Sequence, residues 1–348
     1  MSIDFGRPVL PLRIRGAFSF RLDVRVTAVV GLLLAAAVIT TLVALVLGDY
    51  DITVWRVVQT VFGGGDAWDR RVVIDRRMPR ALLALILGAA LGVSGAIFQS
   101  LTRNPLGSPD VIGFNTGAYT GVLVIMVLFG GEHMGTAWGA LIGGIVTALL
   151  VYLLAFKRGV QGFRLIIVGI AVSAVLASFN TWMILTADLD TAMSAAVWGT
   201  GSLDGAEWGE VRSAGLSVAL VLVLLIPFAT RMPMMEMGDD TARALGVRTE
   251  PTRLALIVLG VALTALATAA AGPIAFVALA APQLAKRLAR TDSVAMVPAA
   301  AMGALLLAVS DLIAQRLFAP TQLPVGIVTV SIGGVYLLWL LAREASRQ

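Results

Sequence analysis

Residues 81–101 read ALLALILGAALGVSGAIFQSL, an uncharged run with Arg80 before it and Arg103 just beyond it. Wound as a helix, such a run rises about 32 Å, enough to cross the roughly 30 Å hydrocarbon core of a bilayer. Nine more stretches share its apolar character: Val26–Leu47, Val111–Phe129, Trp138–Phe156, Leu165–Leu185, Leu216–Thr230, Leu254–Ala271, Ile274–Leu288, Val294–Phe318 and Val325–Ala342. Ten such spans in 348 residues account for a composition that is 58% apolar and only 14% charged, with mean hydropathy +0.91. Soluble domains carry about 25% charged residues, and disordered chains are poor in aliphatic ones. The expectation is an all-α integral membrane protein: a basic tail over 1–25, a ten-helix domain over 26–343 and a short tail over 344–348.

Two spans have features of their own. The first apolar run is long and lacks a clear cleavage site, so it reads as a span and not as a removable leader. The run at 274–288 is short and opens on Gly272-Pro273, which predicts a broken start, because proline cannot donate to the helix ladder. The chain has 36 glycines. Pairs such as Gly88…Gly92 and Gly139…Gly143 are spaced to let helices approach closely.

Lysine and arginine set the expected orientation. With the N-terminus inside, the inner segments hold 18 of the 26 basic residues, from Arg7 and Arg25 to Arg343 and Arg347. The outer segment 186–210 carries Asp188, Asp190, Asp204, Glu207 and Glu210 and no Lys or Arg. Both termini are then cytoplasmic. The first outer loop, about 48–80, departs from the rule with Arg56, Arg70, Arg71, Arg76, Arg77 and Arg80. These are either interfacial arginines that snorkel or exposed forks that dock an acidic partner. The longest inner connection, 231–253, reads RMPMMEMGDDTARALGVRTEPTR. A short helix is expected over Glu236–Leu245, with acidic residues at its start, Arg243 near its end, Gly246 as its cap and Pro251 preventing continuation. Met232, Met234, Met235 and Met237 would give it an adaptable apolar face, of the kind that fits a partner's groove.

The sequence also excludes chemistry. With no cysteine and His133 as the single histidine, disulfides, thiolate sites and His-based metal sites drop out. No G-x-x-x-x-G-K-[ST] loop is present, and no nucleophile–base or carboxylate pair is placed for catalysis. Basic residues without interleaved aromatics, placed on inner loops, argue for topology and against nucleic acid. Neither an enzyme nor a cofactor-bearing chain is expected.

Four segments carry a resemblance. RMPR at 77–80 leads into ALLALILGAALGVSGAIFQSLTRNPLGSPDVIGFNTGA at 81–118; GDDTARALGV follows at 238–247, GPIAFVALAAPQLAKRLAR at 272–290 and SDLIAQRLFAPTQLPVGIVTVSIGGVYLLWLL at 310–341. Together they resemble the FecCD family, the membrane permeases of ABC importers for iron–siderophore complexes and vitamin B12. The resemblance implies a type II ABC importer permease fold with two related five-helix halves in a bacterial inner membrane. It implies a second permease subunit, two cytosolic ATPases that carry the ATP and Mg, and an extracytoplasmic binding protein that delivers the cargo. Arg77, Arg80 and Arg316 fall at its docking positions. Gly238, Asp239, Asp240, Arg243, Ala244, Leu245 and Gly246 fall in its coupling helix. Gln283 and Gln322 stand where many members have His and Glu, which brings the chain closer to the enterobactin-type subset. A catecholate cargo and a heterodimeric permease are expected on that ground.

For the pathway, Ser173, Ser178, Asn180 and Thr181 on the fifth span and Thr329 and Ser331 on the tenth offer passing polar contacts, or equally helix–helix hydrogen bonds. Asn104, Pro105 and Gln161 are expected at an inner gate. Asp311 would pair with a neighbouring helix or with Arg316, and Asp110 would cap the third span. Arg80-ALLALILG and Arg253-LALIVLG echo each other in opposite directions, as inverted repeats do. An ion-coupled secondary transporter is the alternative, and it calls for more buried acids than this sequence has.

Overall fold

The computed structural model describes residues 9–14, 18–48, 50–130, 133–156 and 162–345. Ahead of the membrane domain, β1 (Val9–Ile14) and β2 (Phe18–Asp23) form an antiparallel hairpin that pairs Val9 with Asp23 and Ile14 with Phe18. The expected tail thus holds regular structure; FSFRLD alternates apolar and polar types with the period of a strand. The Asp23 carboxylate then accepts the N–H groups of Arg25 and Val26, at 2.9 and 3.2 Å, and starts α1 (Val24–Val46).

The supposed loop over 48–80 is largely helical. It contains α2 (Val54–Val61), α3 (Ala67–Arg70) and a π-helical stretch (Arg71–Arg77) that runs directly into α4 (Met78–Thr102). The chain continues through α5 (Pro109–Ile112), α6 (Phe114–Phe129), α7 (His133–Ala155), α8 (Gly162–Thr186), α9 (Leu189–Trp198) and α10 (Trp208–Leu225). Then follow α11 (Arg231–Glu236), α12 (Asp239–Ala244), α13 (Thr249–Ala271), α14 (Val277–Ala289), α15 (Met296–Arg316) and α16 (Val325–Ala345).

Each of the ten apolar stretches corresponds to a helix. Seven helices among the described residues are long and apolar enough to cross a bilayer; α6 and the Val325–Trp339 part of α16 are shorter apolar segments, and α14 has 13 residues. The acidic segment 186–210 is not a plain loop, since α9 lies within it.

α4 is the central pole. Of its apolar window 78% is buried, against 22% for α1 and for α8, which turn most of their apolar surface outward. α15, α13, α14 and α10 pack around α4. The glycine spacing explains the closest crossings. A Cβ on Gly88 would overlap the Gly303 carbonyl of α15, and one on Gly121 of α6 would overlap the Gly139 carbonyl of α7. Close backbone approach of this kind is how helices associate where burial from water gives no drive.

Polar side chains tie the pole to its neighbours. Ser94 Oγ lies 2.8 Å from both the Gly260 carbonyl and Thr264 Oγ1 of α13. Gln99 Nε2 donates to the Leu279 carbonyl of α14 at 2.9 Å, and Gln283 Nε2 donates to Gln99 Oε1 at 2.7 Å. α14 starts as the sequence predicts, after a break at Gly272-Pro273. Ser202 N–H donates to the Ala271 carbonyl at 2.8 Å, and Phe276, at φ +69°, donates its N–H to Asp110 Oδ2 at 3.1 Å. Asp110 therefore holds the head of α14. Ser108, whose Oγ accepts the N–H of Val111, caps α5 in its place.

Candidate functional site

The docking and coupling residues singled out by sequence lie towards the two ends of α4. At the Met78 end, Arg80 is 8% exposed. Its Nε donates to both Asp311 oxygens at 3.1 Å and its Nη2 to Asp311 Oδ1 at 2.9 Å. Its Nη1 reaches Asp204 Oδ1 at 3.2 Å and Gln322 Oε1 at 2.6 Å, and Gln315 Nε2 completes the Asp311 shell at 2.7 Å. Arg77 is half-buried and donates to the carbonyls of Leu45, Val46 and Tyr50, at 2.8, 3.1 and 2.9 Å, capping the C-terminus of α1.

The picture of Arg77 and Arg80 as exposed forks is thereby corrected: within the chain, Asp311, Asp204 and Gln322 engage Arg80, and three backbone carbonyls engage Arg77. Asp311 pairs across to α4 and not with Arg316, which lies half-buried at the end of α15. Of the arginines in 48–80, Arg70, Arg71 and Arg76 are exposed.

At the opposite end lies α12. Gly238, at φ +111°, separates it from α11, so the helix expected over Glu236–Leu245 forms but starts later, at Asp239, and Glu236 closes α11 instead. Gly246 at φ +84° ends it in the left-handed conformation, as predicted. Ala242 and Val247 anchor it to the core, while Thr241, Arg243, Ala244 and Leu245 are exposed. Arg243 bonds Thr249 Oγ1 at 3.2 Å and Asp240 Oδ1 at 3.4 Å.

The expected methionine face does not form. Met232 and Met235 are buried in the core, Met234 packs against it and only Met237 is exposed. Pro251 does not block a helix either. It sits in the first turn of α13, where its missing N–H has no helical acceptor to lose.

The pathway candidates divide. Ser178, Thr181 and Ser331 are exposed on α8 and α16 and bond their own helices' carbonyls; Ser173 is half-buried and does the same. Asn180 and Thr329 are buried within the chain: Asn180 bonds α6, and Thr329 bonds the first turn of α16 and lines a small cavity with Ser310 and Tyr336. At the gate, Asn104 Oδ1 accepts the Leu106 N–H at 2.9 Å, which closes the turn that carries exposed Pro105. Gln161 lies outside the described residues.

A profile of the FecCD transport family matches residues 33–343. The chain belongs to that family.

Among FecCD relatives, it is 51% identical over 317 residues to the ferric enterobactin transport system permease protein FepG of Escherichia coli (strain K12), covering 91% of this chain and 96% of that protein. It is 35% identical over 334 residues to the achromobactin transport system permease protein CbrC of Dickeya dadantii (strain 3937), covering 95% of each. A solved inward-facing conformation of an ABC transporter of metal-chelate type superposes with TM-score 0.81 at 27% identity, over 91% of this chain and 99% of that one. The expected type II ABC permease fold is thus borne out.

What sequence reading missed in this FecCD chain is the company its charges keep. Asp204, Arg103 and Arg253 become site residues only once distant segments fold together.

Proposed function

We propose that the chain is the transmembrane permease subunit of an ATP-driven importer that carries a ferric siderophore, of catecholate type, across a bacterial cytoplasmic membrane. The single observation that carries this reading is 51% identity, over nearly the whole chain, to a ferric enterobactin permease. On this reading both termini and α12 are cytoplasmic, and the Arg80 end faces outward.

The chain needs no cofactor of its own; ATP and Mg belong to two copies of a cytosolic ABC ATPase. The exposed residues Thr241, Arg243, Ala244 and Leu245 give α12 a small protruding face suited to a groove on that ATPase. A second FecCD-type subunit, forming a heterodimer, would cover part of the apolar surface that α8 and α16 turn outward. Ser178, Thr181 and Ser331 would then border the pathway between the two subunits. Hydroxyls already bonded within their own helices give a bulky anionic chelate brief contacts without trapping it. An extracytoplasmic siderophore-binding protein would dock at the Arg80 end. The exposed Arg70, Arg71 and Arg76 would meet its carboxylates, Arg316, half-buried at the end of α15, would add to that surface, and Arg77 and Arg80 shape the platform from below.

The test is reconstitution. The chain is placed in vesicles with its second permease and ATPase, and uptake of radioiron-labelled ferric catecholate is followed. Uptake should require ATP and the ATPase. Uptake driven by an ion gradient alone, without the ATPase, would refute the assignment.

A further inference from the structure

Six residues make less than two turns, too few for α12 to hold its own place. Its cap, Gly238, offers no side chain. Its position must therefore come from outside it, and two arginines on two membrane helices supply it.

Arg103 follows the last residue of α4 and takes the left-handed conformation at φ +50°. That turn sends its guanidinium back to α11 and α12: Nε and Nη2 donate to the Met235 carbonyl at 3.2 and 2.9 Å, and Nη2 to Asp239 Oδ1 at 2.6 Å. Arg253 lies in the second turn of α13 with its side chain only 6% exposed. Its Nη2 donates to both Asp239 oxygens at 2.8 Å, and its Nη1 to Glu250 Oε1 at 2.6 Å. One carboxylate at the start of α12 is thus held by both membrane helices.

We propose that Arg103 and Arg253 are positioning residues for energy coupling, gripping Asp239 so that a displacement of α12 is delivered to α4 and α13 together. The proposal rests on the functional reading above and names the residues through which the coupling helix would pull.

Two further observations support it. First, α4 and α13 are tied to each other, because Ser94 bonds Gly260 and Thr264 farther along the bundle. A pull on Asp239 therefore reaches the central pole by two routes and is not absorbed by one loose helix. Second, Arg253 occupies the place in its repeat that Arg80 occupies in the other. Each stands at the head of its helix and holds an aspartate through two oxygens, Asp239 at one end of the bundle and Asp311 at the other. By contrast, the Asp240 side chain is fully exposed and meets only Arg243, on its own helix.

The experiment uses the assembled transporter in vesicles and reads ferric catecholate uptake and ATP hydrolysis in the same preparation. Arg103 is nearly half exposed, so Arg103→Gln should fold. It should lower uptake per ATP by about tenfold, within the range of coupling between distinct sites. Arg103→Lys keeps the charge and should restore much of the ratio. Arg248→Gln removes a charge from the same loop without touching Asp239 and should leave the ratio alone. The double variant Arg103→Gln/Asp239→Asn should fall no further than Asp239→Asn alone, because that change already removes the carboxylate that Arg103 holds.

An unchanged ratio in Arg103→Gln, with the ATPase still bound, would overturn the grip. So would uptake and hydrolysis falling in step as the ATPase dissociates, since that makes these residues an attachment point only. If the parent complex imports without ATP, the functional reading itself fails, and the two failures are distinguishable.

Discussion

Cutting Asp311 back to Ala leaves the Arg80 guanidinium, with a side chain only 10% exposed, without the carboxylate that engages its Nε and Nη2. Removing one partner of a buried pair costs about 3–5 kcal/mol, mostly the penalty of a stranded charge. Asp204 and Gln322 still hold Nη1, so the expected loss is near the lower end, about 3 kcal/mol. Asp311→Asn keeps the shape and one acceptor and should cost less, about 2 kcal/mol for weakened charged hydrogen bonds. The pair Arg80→Met with Asp311→Leu removes both charges and should recover stability to within about 1 kcal/mol of the parent. Equilibrium unfolding in detergent, run on both singles and the double, gives the coupling energy directly. The reasoning fails if Asp311→Ala costs under about 1 kcal/mol, or if the apolar double is no more stable than the singles. Either result would mean that water reaches the pair.

Gly88→Leu should prevent the α4–α15 crossing, because its Cβ would overlap a backbone carbonyl that no side-chain rotation can move. Size-exclusion of the detergent-extracted protein should show loss of the folded species, while Gly31→Leu, where nothing lies within 4 Å, should elute as the parent does. A pH series probes α12. Burial pushes the Asp239 carboxyl upward, but the hydrogen bonds and charges of Arg253 and Arg103 outweigh it and hold it below the usual range. A depressed acid contributes its full stability above its unfolded pKa of about 3.9 and loses it as pH falls through the lower folded value. Amide-exchange protection of α12, corrected for intrinsic rates, should therefore be flat from pH 8 to about 5 and fall only in strong acid. Loss of protection near neutrality would contradict the grip.

The membrane helices were legible because each is written in one contiguous apolar run, and the glycines at 88 and 139 mark where such runs meet. Gly246 and the Gly272-Pro273 break were legible for a local reason, since each acts on its own backbone. The charge network was not. Arg80 and Asp311 stand 231 residues apart, and nothing near either names the other. An arginine at the mouth of a span reads the same whether it turns outward to a partner or inward to a carboxylate. The methionines misled for a related reason: a flexible apolar side chain suits a partner's groove and the chain's own core equally well. Nor does apolar surface on α8 declare what covers it, because lipid and a second subunit ask for the same residue types.

The short helix α14 has a consequence for how the protein is made. Thirteen residues rise about 20 Å, a third less than the hydrocarbon they must cross. The rest of the crossing falls to the open backbone of 272–276, whose polar groups have no place among acyl chains. Asp110 and Ser202, which satisfy Phe276 and Ala271 at the two edges of that backbone, both leave the ribosome earlier. α14 is therefore no autonomous inserter: it enters the bilayer against a scaffold already waiting for it, and the order of synthesis supplies the order of assembly.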